Sequence, residues 1–152
     1  MSAATIPLPD LAAMDSFGRA IAAELRVGDV VALSGGLGTG KTTLARAIIA
    51  ALGYEGEVPS PSFSIVETYD PPMLRIPVVH ADFYRLADPG ETQEIGLDDY
   101  REGRVLIAEW SEHAGGFERE PACLTIVLET ADQGRQAIVA GGKDWHGREP
   151  WR

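Results

Sequence analysis

A chain of 152 residues can bury one substantial core but leaves little room for a second domain. Its 23 acidic and 13 basic side chains give a net charge of −10, which argues against direct nucleic-acid binding, because gripping a phosphate backbone relies on lysine and arginine. No stretch approaches the roughly 18 apolar residues of a membrane span, no basic-then-apolar leader is visible, and the single cysteine, Cys123, excludes an internal disulfide framework and suits a cytoplasmic location.

The first predicted helix covers 10–26: Asp10 is a suitable N-cap, Leu11, Met14, Ile21 and Leu25 share one face, and Gly28 marks the exit. The apolar run 30–34 reads as a buried strand. It enters Gly35-Gly36-Leu37-Gly38-Thr39-Gly40-Lys41-Thr42, a complete phosphate-binding loop, after which Leu44, Ile48, Ala51 and Leu52 recur at helical spacing up to Gly53. Residues 53–61 are rich in glycine and proline and read as a loop. The runs 63–69 and 74–83, separated by Asp70-Pro71-Pro72, predict an antiparallel hairpin, with Pro77 giving the second strand an edge position or an irregular start.

Residues 88–103 are polar and acidic with weak helical character. Val105-Leu106-Ile107-Ala108 is a second buried-strand run ending at Glu109-Trp110, and 111–120 reads as a short helix or loop. Strands 123–130 and 135–141, joined by Ala131-Asp132-Gln133-Gly134, predict a final hairpin, with Cys123 as a small core residue. The expected organisation is one domain over 1–142 and a polar tail, 143–152, that need not be ordered. The expected fold class is α/β: a P-loop three-layer sandwich whose mixed sheet has parallel core strands and antiparallel additions.

The chemistry concentrates in the loop. Glycines let successive backbone N–H groups curl around a polyphosphate, so Gly36, Leu37, Gly38, Thr39, Gly40, Lys41, Thr42 and Thr43 are the predicted nucleotide-binding residues. Lys41 would reach the outer phosphates and Thr42 would take one position on Mg²⁺. Two acids stand at strand ends. Glu109 follows a fully apolar strand and would be costly to bury without a partner, which favours a metal role. Asp82 closes the run Val78-Val79-His80-Ala81; it could hold Mg²⁺ and orient water, or equally cap a turn or pair with Arg85. Ser60-Pro61-Ser62-Phe63 offers a hydroxyl, Ser62, to the metal or the γ-phosphate, although a Ser-Pro turn is the plainer reading. His80 is read as a hydrogen-bonded strand histidine rather than a base, and Trp110 as packing.

Together, Gly35–Thr43, Ser60-Pro61-Ser62-Phe63, His80-Ala81-Asp82-Phe83-Tyr84-Arg85, Gly96-Leu97-Asp98-Asp99-Tyr100 and Glu109-Trp110 resemble the bacterial TsaE (YjeE) family of tRNA threonylcarbamoyladenosine biosynthesis, over roughly residues 10–130. The resemblance implies a P-loop protein that binds ATP and Mg²⁺, hydrolyses ATP slowly alone, and acts with the TsaB–TsaD heterodimer, meeting tRNA only indirectly. By position it implies that Lys41 grips phosphate, that Thr42, Glu109 and Asp82 serve the metal, that Asp82 and Lys41 support hydrolysis, and that Ser62 and Trp110 lie nearby. Adenine would be met by the segment from Thr5 to Asp10. The chain departs from the family in Ser62, Ala81 and Gly36, where threonine, a larger apolar residue and an acid are usual. Two other classes remain open: a small-molecule kinase, disfavoured by an acidic 88–103 whose one cation is Arg101, and a nucleotide-gated interaction module.

Overall fold

The computed structural model describes residues 3–61 and 65–151. Among them run seven strands, β1 (Ala3–Leu8), β2 (Val30–Gly35), β3 (Val66–Tyr69), β4 (Val78–Asp82), β5 (Val105–Glu109), β6 (Cys123–Thr130) and β7 (Arg135–Gly141). The helices are α1 (Leu11–Glu24), α2 (Lys41–Ala51), α3 (Glu91–Glu94) and α4 (Leu97–Arg101), with single 3₁₀ turns at Ser111–Ala114 and Lys143–Trp145. The strands make one sheet in the order β1-β7-β6-β2-β5-β4-β3. Its centre is parallel, because β2 runs alongside both β5 and β6, and β4 alongside β5. Antiparallel strands are added at both sides, β3 against β4 and the pair β7 and β1 beyond β6. The expected mixed sheet with a parallel core is therefore the observed one.

The apolar runs are continuous because both sheet faces are covered. Val31, Leu33, Ile107 and Ile126 face α1 and α2, joining Phe17, Ile21, Leu44, Ile48 and Ile49 in the larger core. Val30, Ala32, Leu106 and Ala108 face the other way, under Phe83, Leu86, Leu97 and Phe117. The two layers differ in build: two long helices on one side, short α3 and α4 with loops on the other. Asp10 caps α1 as expected, its Oδ1 accepting from Ala13 N at 2.8 Å. α1 and α2 touch closely at Gly18, where a Cβ would fall 2.6 Å from the Ala47 methyl; any side chain there would force the helices apart.

Three local readings change, and a fourth falls partly outside the described residues. The strand β1 is not visible in the sequence pattern: Pro7 weakens the alternation, yet an edge strand tolerates proline, and β1 sits at the sheet edge beside β7. The second strand of the central hairpin is shorter than 74–83. It begins immediately after Pro77, and β4 lies inside the sheet between β3 and β5, so the irregular start holds and the edge position does not. α1 stops at Glu24, ahead of the turn that contains Gly28. Ser62, and the start of the run 63–69 at Phe63 and Ser64, lie outside the described residues; β3 begins at Val66.

The polar tail is not loose. Trp145 is fully buried and donates its indole N–H to Ala122 O at 2.8 Å, a burial worth about 3 kcal/mol or more. Arg148 lies over the Trp145 ring, 4.0 Å from its centroid. It also makes two hydrogen bonds to the Asp29 carboxylate, at 2.7 and 2.6 Å, and a third to Glu24 O. The sequence showed the charges and the tryptophan but not the distant residues that would receive them. Cys123 is a core residue, as read, and burial pushes its thiol up to about 11.

Candidate nucleotide site

Parallel pairing brings the three functional segments to one end of the sheet. Leu33 of β2 and Asp82 of β4 both stand in register with Glu109 of β5. The chain therefore leaves β2 into the loop, and β4 and β5 into their acids, at the same carboxyl edge, where open α/β sheets bind ligands. Gly35 makes the exit possible: its φ is +130°, and a Cβ would lie 2.2 Å from Leu128 O. Gly40 ends the loop at φ +104° and opens α2, whose first N–H groups have no intrahelical acceptor.

A cavity of about 570 Å³ opens here. Leu37, Gly38, Gly40, Lys41, Thr42 and Thr43 line it, together with Ser60, Asp82, Tyr84, Glu109 and Trp110. Its far wall is Leu8, Pro9, Asp10, Leu11 and Met14, with Gly134 of the β6–β7 turn and Arg135 at the start of β7. Of the predicted loop residues, Gly36 and Thr39 serve the loop itself, since the Thr39 hydroxyl donates to Gly36 O at 2.8 Å. Ser62 falls outside the described residues.

Lys41 is nearly buried and folds back on the loop, donating to Gly35 O at 2.8 Å and Gly36 O at 2.7 Å. Its ammonium also sits 4.1 Å from the centroid of the Trp110 ring, a cation–π contact. Burial holds Lys41 below the ordinary lysine value of 10.5, partly offset by the carboxylates of Glu109, Glu112 and Asp82. Trp110 takes a left-handed backbone conformation, φ +55°, which is unusual for a bulky residue. It packs on Tyr84 and His113, with ring centroids 4.8 and 5.2 Å away.

The acids have defined partners. Glu109 is buried, and its Oε1 accepts from the Thr42 hydroxyl at 2.7 Å while Oε2 lies 2.6 Å from His80 Nε2. Asp82 Oδ1 accepts from Tyr84 N at 2.9 Å, leaving the carboxylate on the cavity wall. The Thr42–Glu109 bond joins residues 67 apart in sequence.

Some neighbours were not found by sequence reading. Arg135 donates to Gly38 O at 2.9 Å and borders the cavity; nothing local in a hairpin turn shows that it will reach a loop 97 residues earlier. The sequence reads His80 as a hydrogen-bonded strand histidine, and it is one, with the Glu109 carboxylate as its partner. The alternating pattern Val78, His80, Asp82 was the available signal, since period two puts all three on one sheet face. Met14 and Leu11, which the sequence places on one helix face, also form the cavity wall at the start of α1.

Comparison with known proteins gives a consistent result. Residues 8–138 match the family described as Threonylcarbamoyl adenosine biosynthesis protein TsaE. The chain is similar to proteins named tRNA threonylcarbamoyladenosine biosynthesis protein TsaE from Haemophilus influenzae, at 35% identity over 89% of this chain and 87% of that protein, and from Streptomyces coelicolor, at 38% over 87% and 93%. Its fold is similar to that in the crystal structure of Bacillus subtilis YdiB, with a TM-score of 0.73 and 28% identity, covering 97% of this chain and 90% of the other. A family match across most of the chain and relatives above 30% identity agree with the motifs gathered around the cavity: the chain belongs to the TsaE family.

Proposed function

We propose that this protein binds ATP with Mg²⁺ and hydrolyses it slowly, and that it serves tRNA threonylcarbamoyladenosine formation together with TsaB and TsaD partners. The observation that carries the reading is the convergence of Lys41, Thr42, Asp82 and Glu109 on one cavity at the carboxyl ends of parallel strands. The name shared by the relatives supplies the pathway. The net charge of −10 favours delivery to protein partners over direct contact with RNA.

The donor set fits magnesium. Thr42, Glu109 and Asp82 offer hard oxygen ligands, and among the described residues no cluster of three or more histidines, cysteines or carboxylates forms a protein cage. Magnesium typically takes only one or two protein carboxylates beside phosphate oxygens and water. Bound with the triphosphate, it would supply neutralisation of the phosphate charge. Thr42 and Glu109 would hold it.

The protein's own groups account for the rest. Lys41 would exchange its bonds to Gly35 O and Gly36 O for phosphate oxygens, which as charged acceptors are stronger partners than carbonyls. The N–H groups opening α2 would face the same phosphates. Asp82, fixed by Tyr84 N, would orient the attacking water. A phosphate-acceptor lid with free arginines finds no support in 88–103, because Arg101 is bonded to Glu120 and lies near Phe117.

The test is nucleotide binding and steady-state ATP hydrolysis by the purified protein with and without Mg²⁺, then by the Asp82→Asn variant. The expected outcome is retained ATP binding with turnover lowered about 100-fold or more, and failure of the variant to support tRNA modification in cells. A protein that binds neither ATP nor ADP would overturn the reading. An Asp82→Asn variant that keeps full cellular function without turnover would leave only a nucleotide-gated module.

A further inference from the structure

His80 occupies a place where an apolar side chain would be expected. It points from β4 to the face covered by α1 and α2, in a strand whose neighbouring residues on that face are Val78 and Asp82, and beside Ile107 of β5. Its ring is fully buried. Nδ1 has no hydrogen-bond partner among the described residues. Nε2 has one, Glu109 Oε2 at 2.6 Å.

A carboxylate only accepts, so the proton of this bond belongs to Nε2. A valine or leucine would fill the space without stranding a buried nitrogen, so the chain keeps a costly group for a single contact. That contact fixes one oxygen of Glu109, and the carboxylate plane then leaves Oε1 for Thr42, 2.7 Å away at the cavity wall. Without it, the Glu109 side chain could rotate about its last torsion, which is broad and roughly two-fold. Outer partners that fix a ligand's orientation commonly change metal affinity 10–100-fold when removed.

Resting on the role of Thr42 and Glu109 as metal-holding groups, we propose that His80 is a positioning residue: by donating from Nε2 to Glu109 Oε2 it presents the other carboxylate oxygen to the divalent cation and so sets the cation affinity of the site. It touches neither the nucleotide nor the metal. Its effect passes entirely through Glu109.

Three substitutions separate this role from simple packing. Gln places an amide N–H near the position of Nε2, whereas Asn places it near Nδ1, out of reach of Glu109, and Leu has no donor. Each variant is first checked by thermal melting. Mn²⁺ affinity in the presence of ADP is then measured by electron paramagnetic resonance, with ADP affinity in chelator as the metal-free reference. His80→Leu and His80→Asn are expected to weaken Mn²⁺ binding about 10–100-fold, with metal-free ADP affinity within about twofold, and His80→Gln to recover most of the loss. Folded Leu and Asn variants that hold Mn²⁺ as tightly as the parent would overturn the proposal, as would Gln and Asn behaving alike. If the parent and a Glu109→Gln control bind Mn²⁺ equally, the metal-holding reading itself fails, and the role of His80 with it.

Discussion

At the entry to β2, Asp29 and Arg148 close on each other, carboxylate to guanidinium through two short bonds, with Glu24 O taking a third and Trp145 covering the planar cation. At the exit of the same strand, the equally buried Lys41 is bonded to the carbonyls of Gly35 and Gly36. Both ends bury a cation beside the core. The first satisfies it mainly with a carboxylate inside the fold, the second with neutral dipoles alone. Under the proposed function one end is organised for stability and the other for exchange with phosphate, and the difference lies in the partners supplied.

The largest effect should come from opening the closed end. Arg148→Ala leaves the buried Asp29 carboxylate without its cation, with only the Arg26 N–H still donating to it, and breaking a buried pair costs about 3–5 kcal/mol. Urea unfolding should show that loss, while ADP affinity of the folded protein stays unchanged. An exposed or weakly held tail would instead give a change under about 0.5 kcal/mol.

Lys41→Ala should do the reverse. Removing a charged donor to phosphate costs about 1.5–3 kcal/mol of binding, or roughly 10–100-fold in ADP affinity by calorimetry. Stability should move by less than about 1 kcal/mol, because the loop carbonyls it leaves can be met by water in an open cavity. A large stability loss would mean that Lys41 closes its end as Arg148 does.

The smallest effect is in the pH response. Burial holds the Lys41 value below 10.5 in the folded protein, so the unfolded chain keeps this proton to higher pH. The penalty of burying the ammonium is present at neutral pH and is relieved as pH rises through the folded value toward 10.5, so this group's contribution to stability increases there. Phosphate favours the ammonium, so nucleotide binding in that alkaline window should take up protons and weaken as pH rises. Calorimetry in buffers of different ionisation enthalpy would show the uptake; proton release would contradict it.

Much of the exchanging end was legible in the sequence. A glycine array between an apolar run and a helical pattern has one geometry, and Glu109 after Val105–Ala108 had to be buried and therefore had to be partnered. Thr42 is that partner, together with His80, whose identity needed the register of β4 on β5. The closing end was not legible. Asp29 and Arg148 are 119 residues apart, and a polar, glycine-containing tail carries no periodicity that would announce a docking site. β1 was hidden for a related reason, because its partner β7 lies at the other end of the chain and Pro7 blurs the alternation.

Local chemistry thus determined the parts of this protein: which stretches are buried on both faces, where a polyphosphate would be cradled, and which acids stand at strand ends. These follow from side-chain period, glycine geometry and the cost of burying charge, all written within a few residues. Only the tertiary structure decided which parts meet. It placed β5 beside β2, set His80 under Glu109, brought Arg135 to the loop and drew the tail over Asp29. Strand order and long-range pairing depend on how whole surfaces pack, and no short window of sequence contains that information.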